Sequence, residues 1–318
     1  MKKIPLSCLL IFVFMPVVFF GSVSVDAASK PDKISITYIK LPLNAPAIIA
    51  KRLGFFEKEF GPDKIAIQRP EMITASQQMQ AMAAGSVQFA SVLGSEAAIL
   101  ARANGVDIKV IDTFSRAPRV FTIMAKNPSI KKVSDLKGKT IVGPKGTVSH
   151  HLLVAALKRE GLTAADVKFV NMTGPQAQAA LTSGSADAAL IAGFFIVPAE
   201  AGGARVIING NGLVSGLTVV AVKESFLRDY PDLVRRYLKV HRQALQYLKN
   251  HPAESIKIVA EEIRVSESDV KRMLPLYNFS SGITDADLAD LEATQTFLKE
   301  NDMLTNTINI RDLIEVVR

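Results

Sequence analysis

The chain has 318 residues, 48% of them hydrophobic, with a formal charge of +8, four histidines, one cysteine and no tryptophan. The basic balance gives no sign of nucleic acid as a partner. Lys and Arg are interleaved with acids ("KRLGFFEKEFGPDK", "KVSDLKGK"), as on a solvated mixed-charge surface. The lone cysteine, Cys8, excludes disulfides, thiol nucleophiles and cysteine metal sites from the rest of the chain.

In chain order, Lys2 and Lys3 precede an apolar run from Leu9 to Phe20, and Val25-Asp26-Ala27 places small residues where a signal peptidase reads. The run falls short of the roughly 20 residues a spanning helix needs. We expect residues 1–27 to be a cleaved secretory signal. Cys8 leaves with it, so no mature cysteine carries a lipid anchor, and the expected location is the periplasm. The remaining length suits two lobes of about 100–200 residues each.

Strand and helix then alternate. Strands are expected at Ile34–Ile39, Lys64–Gln68, Phe89–Leu93 and Ile108–Phe114, with helices at Ala45–Phe60, Ser76–Ala84 and Glu96–Asn104 between them. After Val120–Ala125 the rhythm restarts. It runs strand Thr140–Val142, helix Ser149–Glu160, strand Val167–Asn171, helix Pro175–Ser183 and strand Ala188–Ala192. Most of the helices stop at glycines (Gly85, Gly105, Gly161, Gly184), the residue that most readily takes the left-handed turn after a helix. Such alternation implies parallel sheets with helical crossovers, an α/β fold.

The restart also repeats residues. "QQMQAMAAGSVQFASVLG" (77–94) and "QAQAALTSGSADAALIAG" (176–193) share six identities at a constant offset of 99. Either two Ala-rich helices coincide by chance, or two lobes share one supersecondary plan. Past Gly216 a strand, Leu217–Val222, precedes helices at Pro231–Asn250, Pro252–Ile263, Glu267–Leu274 and Asp285–Glu300. Their apolar stripes (Leu233, Tyr237, Val240, Ala244, Leu248) mark core packing. This helical return is expected to pack on the first lobe, so residues 28–120 and 216–318 form lobe I and 121–215 form lobe II. The crossings near Val120–Ala125 and Leu213–Val219 would be the hinge. Ligands of open parallel sheets bind beyond the carboxyl ends of the strands, so a cleft between the lobes would be lined by the loops at those ends. Those loops are 38–44, 94–96, 114–119, 143–150, 172–176 and 193–195, and the pattern indicates a binding protein.

The segments "APAIIAKRLGFFEKEFGP", "AMAAGSVQFASVLGSEAA", "VSDLKGKTIVGPKGTVSHHLLVAALKREGL" and "DVKFVNMTGPQAQAALTSGSADAALIAG" resemble the nitrate/sulfonate/taurine-type solute-binding proteins of ABC importers. That group also includes binders of thiamine-pyrimidine precursors. The resemblance spans nearly all of the mature chain. It implies a type II periplasmic-binding fold: two α/β lobes, a two-strand hinge, and a small ligand trapped by closure and passed to a membrane permease. In that family the positions matching 145–150, 94–96 and 193–195 line the cleft. Sulfonate-type members carry an aromatic–acid–proline run where this chain has Gly193-Phe194-Phe195. The ligand that the resemblance implies is a small organic anion (sulfonate, carboxylate or nitrate-like). The alternatives are a flat heterocycle such as a thiamine pyrimidine precursor, or the role of a ligand sensor or adaptor. Pyrimidine-forming relatives rely on cysteine motifs that this chain lacks, which argues against an enzyme, and a monomer is expected.

Within those loops, "VGPKGTVSHH" (142–151) departs from a phosphate P-loop because Lys145 precedes Gly146. It reads as a strand-to-helix turn whose first N–H groups and dipole favour an anion, with Thr147, Val148, Ser149 and His150 at the ligand. Thr147 or Ser149 capping the helix is the competing reading, and both can hold at once. His150 and His151 point about 100° apart on a helix, so they make a poor metal pair, and no metal or cofactor is expected. Arg116, with Arg119 nearby, could fork an anion or face water. Glu96, with Gly94 and Ser95, could hold an ammonium or simply favour its helix start. Phe194 and Phe195 could stack on a flat ligand or belong to the core. Tyr38, Leu43, Asn44 and Gln176 complete the expected lining.

Overall fold

The computed structural model describes residues 30–317, so the expected signal sequence and Cys8 lie outside the described residues. The first strand, β1 (Lys33–Ser35), pairs in parallel with β2 (Ala66–Gln68), and between them run α1 (Ala45–Arg52) and α2 (Phe55–Phe60). Sequence pattern suggested one helix over 45–60. It breaks because Gly54 takes a left-handed φ of +65°, which turns the chain so that Phe56 and Phe60 enter the core. Then follow α3 (Ala75–Ala83), β3 (Phe89–Gly94), α4 (Ser95–Ala103) and β4 (Ile108–Arg116). The second unit runs β5 (Phe121–Ala125), β6 (Thr140–Gly143), α5 (Val148–Arg159), β7 (Lys168–Asn171), α6 (Gly174–Ser183), β8 (Ala188–Ala192), α7 (Ile196–Ala201) and β9 (Arg205–Asn209). The chain ends with β10 (Leu217–Lys223), α8 (Glu224–Asp229), α9 (Pro231–Asn250), α10 (Pro252–Ile263), α11 (Glu267–Met273), β11 (Asn278–Phe279), α12 (Asp285–Glu300) and α13 (Ile310–Leu313).

One strand plan is used twice. Lobe II orders its sheet β7-β6-β8-β5-β9, with β5 antiparallel to both neighbours. Lobe I orders β3-β10-β4-β11, with β10 antiparallel to β3 and β4, and a parallel bridge from Ile36 to Phe89 brings β1 and β2 alongside β3. The two orders β2-β1-β3-β10-β4 and β7-β6-β8-β5-β9 are therefore equivalent. The offset-99 repeat falls on corresponding elements, α3–β3 and α6–β8. Its shared glutamine has a local cause: Gln77 Oε1 accepts from Thr74 N–H at 3.2 Å, and Gln176 Oε1 accepts from Thr173 N–H at 3.0 Å. Each closes the entry to its helix.

The strand exchange makes the hinge. The chain leaves lobe I through Ala117–Val120 and returns through Gly210–Gly216, slightly offset from the expected crossings because Val120–Ala125 is mostly strand β5. Ala117 N–H donates to Gly216 O (3.1 Å), and Gly210 N–H donates to Pro118 O (3.1 Å). At Gly216, with φ of +63°, a Cβ would lie 2.6 Å from the Ala117 carbonyl carbon, so the two crossings touch backbone to backbone. The helical return covers lobe I: Tyr237 stacks on Phe89 with centroids 4.0 Å apart, while Arg236 ties α9 to Glu59 (3.0 Å) and Asp63 (2.6 Å).

Candidate functional site

Between the lobes lies a cleft of about 850 Å³, lined from both. That volume sits toward the upper end of the range for small-molecule sites. α3, α5 and α6 bring their first turns to it, as strand–helix alternation requires when helices begin at the carboxyl ends of the strands. The wall is largely apolar (Leu43, Met79, Leu100, Phe121, Phe195), with hydroxyls from Ser76, Ser115, Thr147, Ser149 and Thr218. Among the described residues that line it, Lys145 is the one charged side chain and none is acidic.

The turn before α5 is built to leave N–H groups free. Gly146 takes φ of +69° and packs beneath Leu100 of the opposite lobe, which a Cβ would approach to 3.4 Å. Thr147 stands at the cap position but makes no side-chain cap, and its hydroxyl donates back to Pro144 O at 2.8 Å. Lys145 N–H is taken by Asn171 Oδ1 at 2.9 Å. By contrast, Thr74 caps α3 through the Gln77 N–H at 3.2 Å. α5 thus presents the positive end of a twelve-residue helix, uncapped by its own side chains, beside Lys145.

Five of the expected ligand residues line this cleft: Leu43, Thr147, Ser149, Gln176 and Phe195. Gln176 does so while its Oε1 is held by Thr173. The others lie elsewhere, each for a visible reason. The buried Tyr38 donates its hydroxyl to Glu262 Oε1 (3.0 Å), which also pairs with Lys51 (2.5 Å). Asn44 is fully buried and donates to Ile39 O at 3.1 Å. Arg116 turns into lobe I, where its Nε donates to Asp287 Oδ1 at 2.7 Å and its Nη1 donates to Ser280 Oγ. Burial would raise the Asp287 carboxyl, but hydrogen bonds from Arg116 and Thr284 outweigh it and hold the carboxyl below its usual range. Arg119 donates to Pro275 O at 3.2 Å. Phe194 is half-buried and off the lining.

Gly94, Ser95, Glu96, Val148 and His150 gather where the lobes touch, beside the cleft. A Cβ on Gly94 would lie 3.9 Å from Val148, and Ser95 Oγ donates to Glu96 Oε2 at 3.2 Å. Glu96, 2% exposed, meets His151 Nδ1 of lobe II at 3.3 Å, and the His151 ring stacks on Phe297 (4.0 Å, 10°). His150 stacks on Phe169 at 4.6 Å, and burial, with Lys145 and His151 nearby, lowers its pKa to about 4. It is a neutral core histidine. The described residues hold no cluster of three or more His, Cys, Asp or Glu side chains that could bind a metal. Sequence reasoning missed Tyr277 and the α3 face (Ser76, Met79, Gln80). The α3 helix faces the cleft because it matches α6, a correspondence that the offset-99 repeat already carried.

Two lobes on one strand plan, crossed twice and closing on such a cleft, define a periplasmic-binding-protein fold. The alkanesulfonate-binding protein SsuA of Xanthomonas axonopodis pv. citri, solved with MOPS bound, superposes with a TM-score of 0.83 at 23% identity, over 91% of this chain and all of that one. The chain belongs to the NMT1/THI5-like family, which it matches over residues 42–255. It is 29% identical over 280 residues to the putative aliphatic sulfonates-binding protein of Bacillus subtilis, covering 85% of this chain and 82% of that protein. To the taurine-binding periplasmic protein of Escherichia coli it is 27% identical over 253 residues, covering 76% and 77%. Among the described residues no helix is long and apolar enough to cross a membrane.

Proposed function

We propose that this is an extracytoplasmic solute-binding protein that traps a small organic anion, a sulfonate or carboxylate with an apolar body, between its lobes. It delivers the anion to the permease of an ABC importer from the periplasm, as a monomer, with the lobes divided at 120/121 and 215/216. The observation that carries this reading is the uncapped first turn of α5 beside Lys145, opening into a cleft whose described lining holds no acid. An oxyanion there meets free N–H donors and a positive dipole, and charge-assisted bonds of this kind contribute about 1.5–3 kcal/mol each. The apolar wall suits a ligand body rather than a bare inorganic ion. Glu96 is committed to His151, so it offers nothing to an ammonium in the cleft. An uncharged-bodied anion therefore fits better than an aminosulfonate. Binding rather than turnover agrees with relatives named as binding proteins.

Thermal unfolding with a panel of compounds tests this. 1-Butanesulfonate, benzenesulfonate or butyrate should raise the melting temperature by several degrees at saturation, whereas 1-butanol and butylammonium should leave it unchanged. Stabilisation by butylammonium, with none by any anion, would overturn the reading.

A further inference from the structure

Tyr277 lies at the end of the 3-10 turn Leu274–Leu276, beyond the segment that matches the family. Its ring stacks on Phe279 (5.3 Å, 15°) and packs with Ala117 and Val120, so the hinge crossing holds it in place. The residue is 7% exposed and lines the cleft, and its hydroxyl has no hydrogen-bond partner among the described residues. Opposite it stands Gly193 of lobe II, at the carboxyl end of β8, with φ of +57°. A Cβ there would come within 3.0 Å of the Tyr277 oxygen. The hydroxyl of one lobe is thus pressed against the bare backbone of the other, beside the hinge crossing.

We propose that the Tyr277 hydroxyl makes lobe closure conditional on an anionic ligand, and that it donates a hydrogen bond to that ligand's oxygen. The proposal rests on the anion reading above and names the residue that enforces it. When the lobes part, Gly193 withdraws and water reaches the hydroxyl. When they close on nothing, the hydroxyl is stripped of water and left without a partner, which disfavours empty closure. An oxyanion seated between the lobes holds them at a separation where the hydroxyl has an acceptor, and the cost disappears. The sign of the interaction follows from the surroundings. Burial pushes the phenol well above its ordinary range, so it stays a donor, and Lys145 and the first turn of α5, which line the same cleft, favour an acceptor of negative charge. Gly193 belongs to the same device, since any side chain at that position would fill the space the hydroxyl needs.

The test compares wild type with Tyr277→Phe, which keeps the ring and its packing. Calorimetric titration with 1-butanesulfonate, benzenesulfonate and butyrate gives the affinities, and small-angle scattering of the unliganded proteins gives the radius of gyration. Tyr277→Phe should bind anions about tenfold to a hundredfold more weakly, matching the loss of one charge-assisted hydrogen bond. It should melt no lower than wild type without ligand, and its empty radius should be smaller, because empty closure no longer strands a hydroxyl. Affinities within threefold of wild type, an unchanged empty radius, or a melting temperature several degrees lower would each overturn the proposal and leave the anion reading standing. Wild type that binds none of the three anions would overturn both.

Discussion

Replacing Arg116 by alanine separates the ligand fork that the sequence allowed from the internal strut that the structure shows. In the structure Arg116 forks Asp287, reaches Ser280 Oγ and donates to Gly282 O at 3.2 Å, so one guanidinium ties β4 to the segment leading into α12. The Asp287 side chain is 5% exposed and that of Arg116 is 23% exposed. Removing one partner of a buried pair typically costs about 3–5 kcal/mol. Partial exposure of the arginine and the surviving bonds to Asp287 from Thr284 (2.7 and 2.6 Å) put this case at the low end, about 3 kcal/mol. For a chain of this size that corresponds to a fall of roughly 6–12 °C in melting temperature. Affinity for 1-butanesulfonate should stay within a few-fold of wild type. The pH dependence supplies a second check. The Asp287 carboxyl is depressed, so the pair's contribution is complete above the ordinary aspartate pKa of about 3.9 and is lost as pH falls through the lower folded value. The gap between variant and wild type should therefore narrow below about pH 4. An unchanged melting temperature together with lost binding would refute the assignment and place Arg116 at the ligand.

Thr147→Glu puts a carboxylate at the turn proposed to receive the anion. It should weaken butanesulfonate binding by about a hundredfold or more while the empty protein melts within a few degrees of wild type, because an acid at a helix start favours the helix. Equal binding in the two proteins would mean that the turn faces away from the ligand. His150 has a pKa lowered to about 4, so unfolding takes up a proton between about pH 6.5 and 4. Chemical denaturation should find stability falling across that window by up to about 3 kcal/mol, and His150→Phe should abolish that fall; an equal slope in both proteins would contradict the buried neutral histidine. Gly216→Ala forces a Cβ to within 2.6 Å of the Ala117 backbone at positive φ. It should lower the melting temperature by at least several degrees, and a neutral outcome would show that the crossings are not in contact.

Much of the fold was legible because helix periodicity, glycine stops and buried strands are local signals. The 77–94 and 176–193 repeat gave the two-lobe plan, and the structure explains its glutamines as partners of Thr74 and Thr173. The break at Gly54 and the shortness of β1 were not legible, since apolar spacing continues through both. At the site, the turn before α5 was legible as part of the cleft wall, where Thr147 and Ser149 line it beside Lys145, although Val148 and His150 of the same turn pack off the lining. Residues whose partner comes from far along the chain carry no such signal. Arg116 meets Asp287, Tyr38 meets Glu262 and Glu96 meets His151, and no spacing rule announces any of these pairs. The same limit hid Tyr277, which reaches the cleft only because the helical return folds back across the hinge.

The anion site is tested most directly by a crystal structure of the protein with benzenesulfonate, with the sulfur located by its anomalous signal. The sulfonate should lie in the inter-lobe cleft, its oxygens within hydrogen-bond distance of the first N–H groups of α5 and of the Tyr277 hydroxyl, and the ring against Leu43, Met79 and Leu100. A sulfonate bound instead in the groove of lobe I that Arg242, Lys249 and Lys271 line, with the inter-lobe cleft holding only water, would contradict this site.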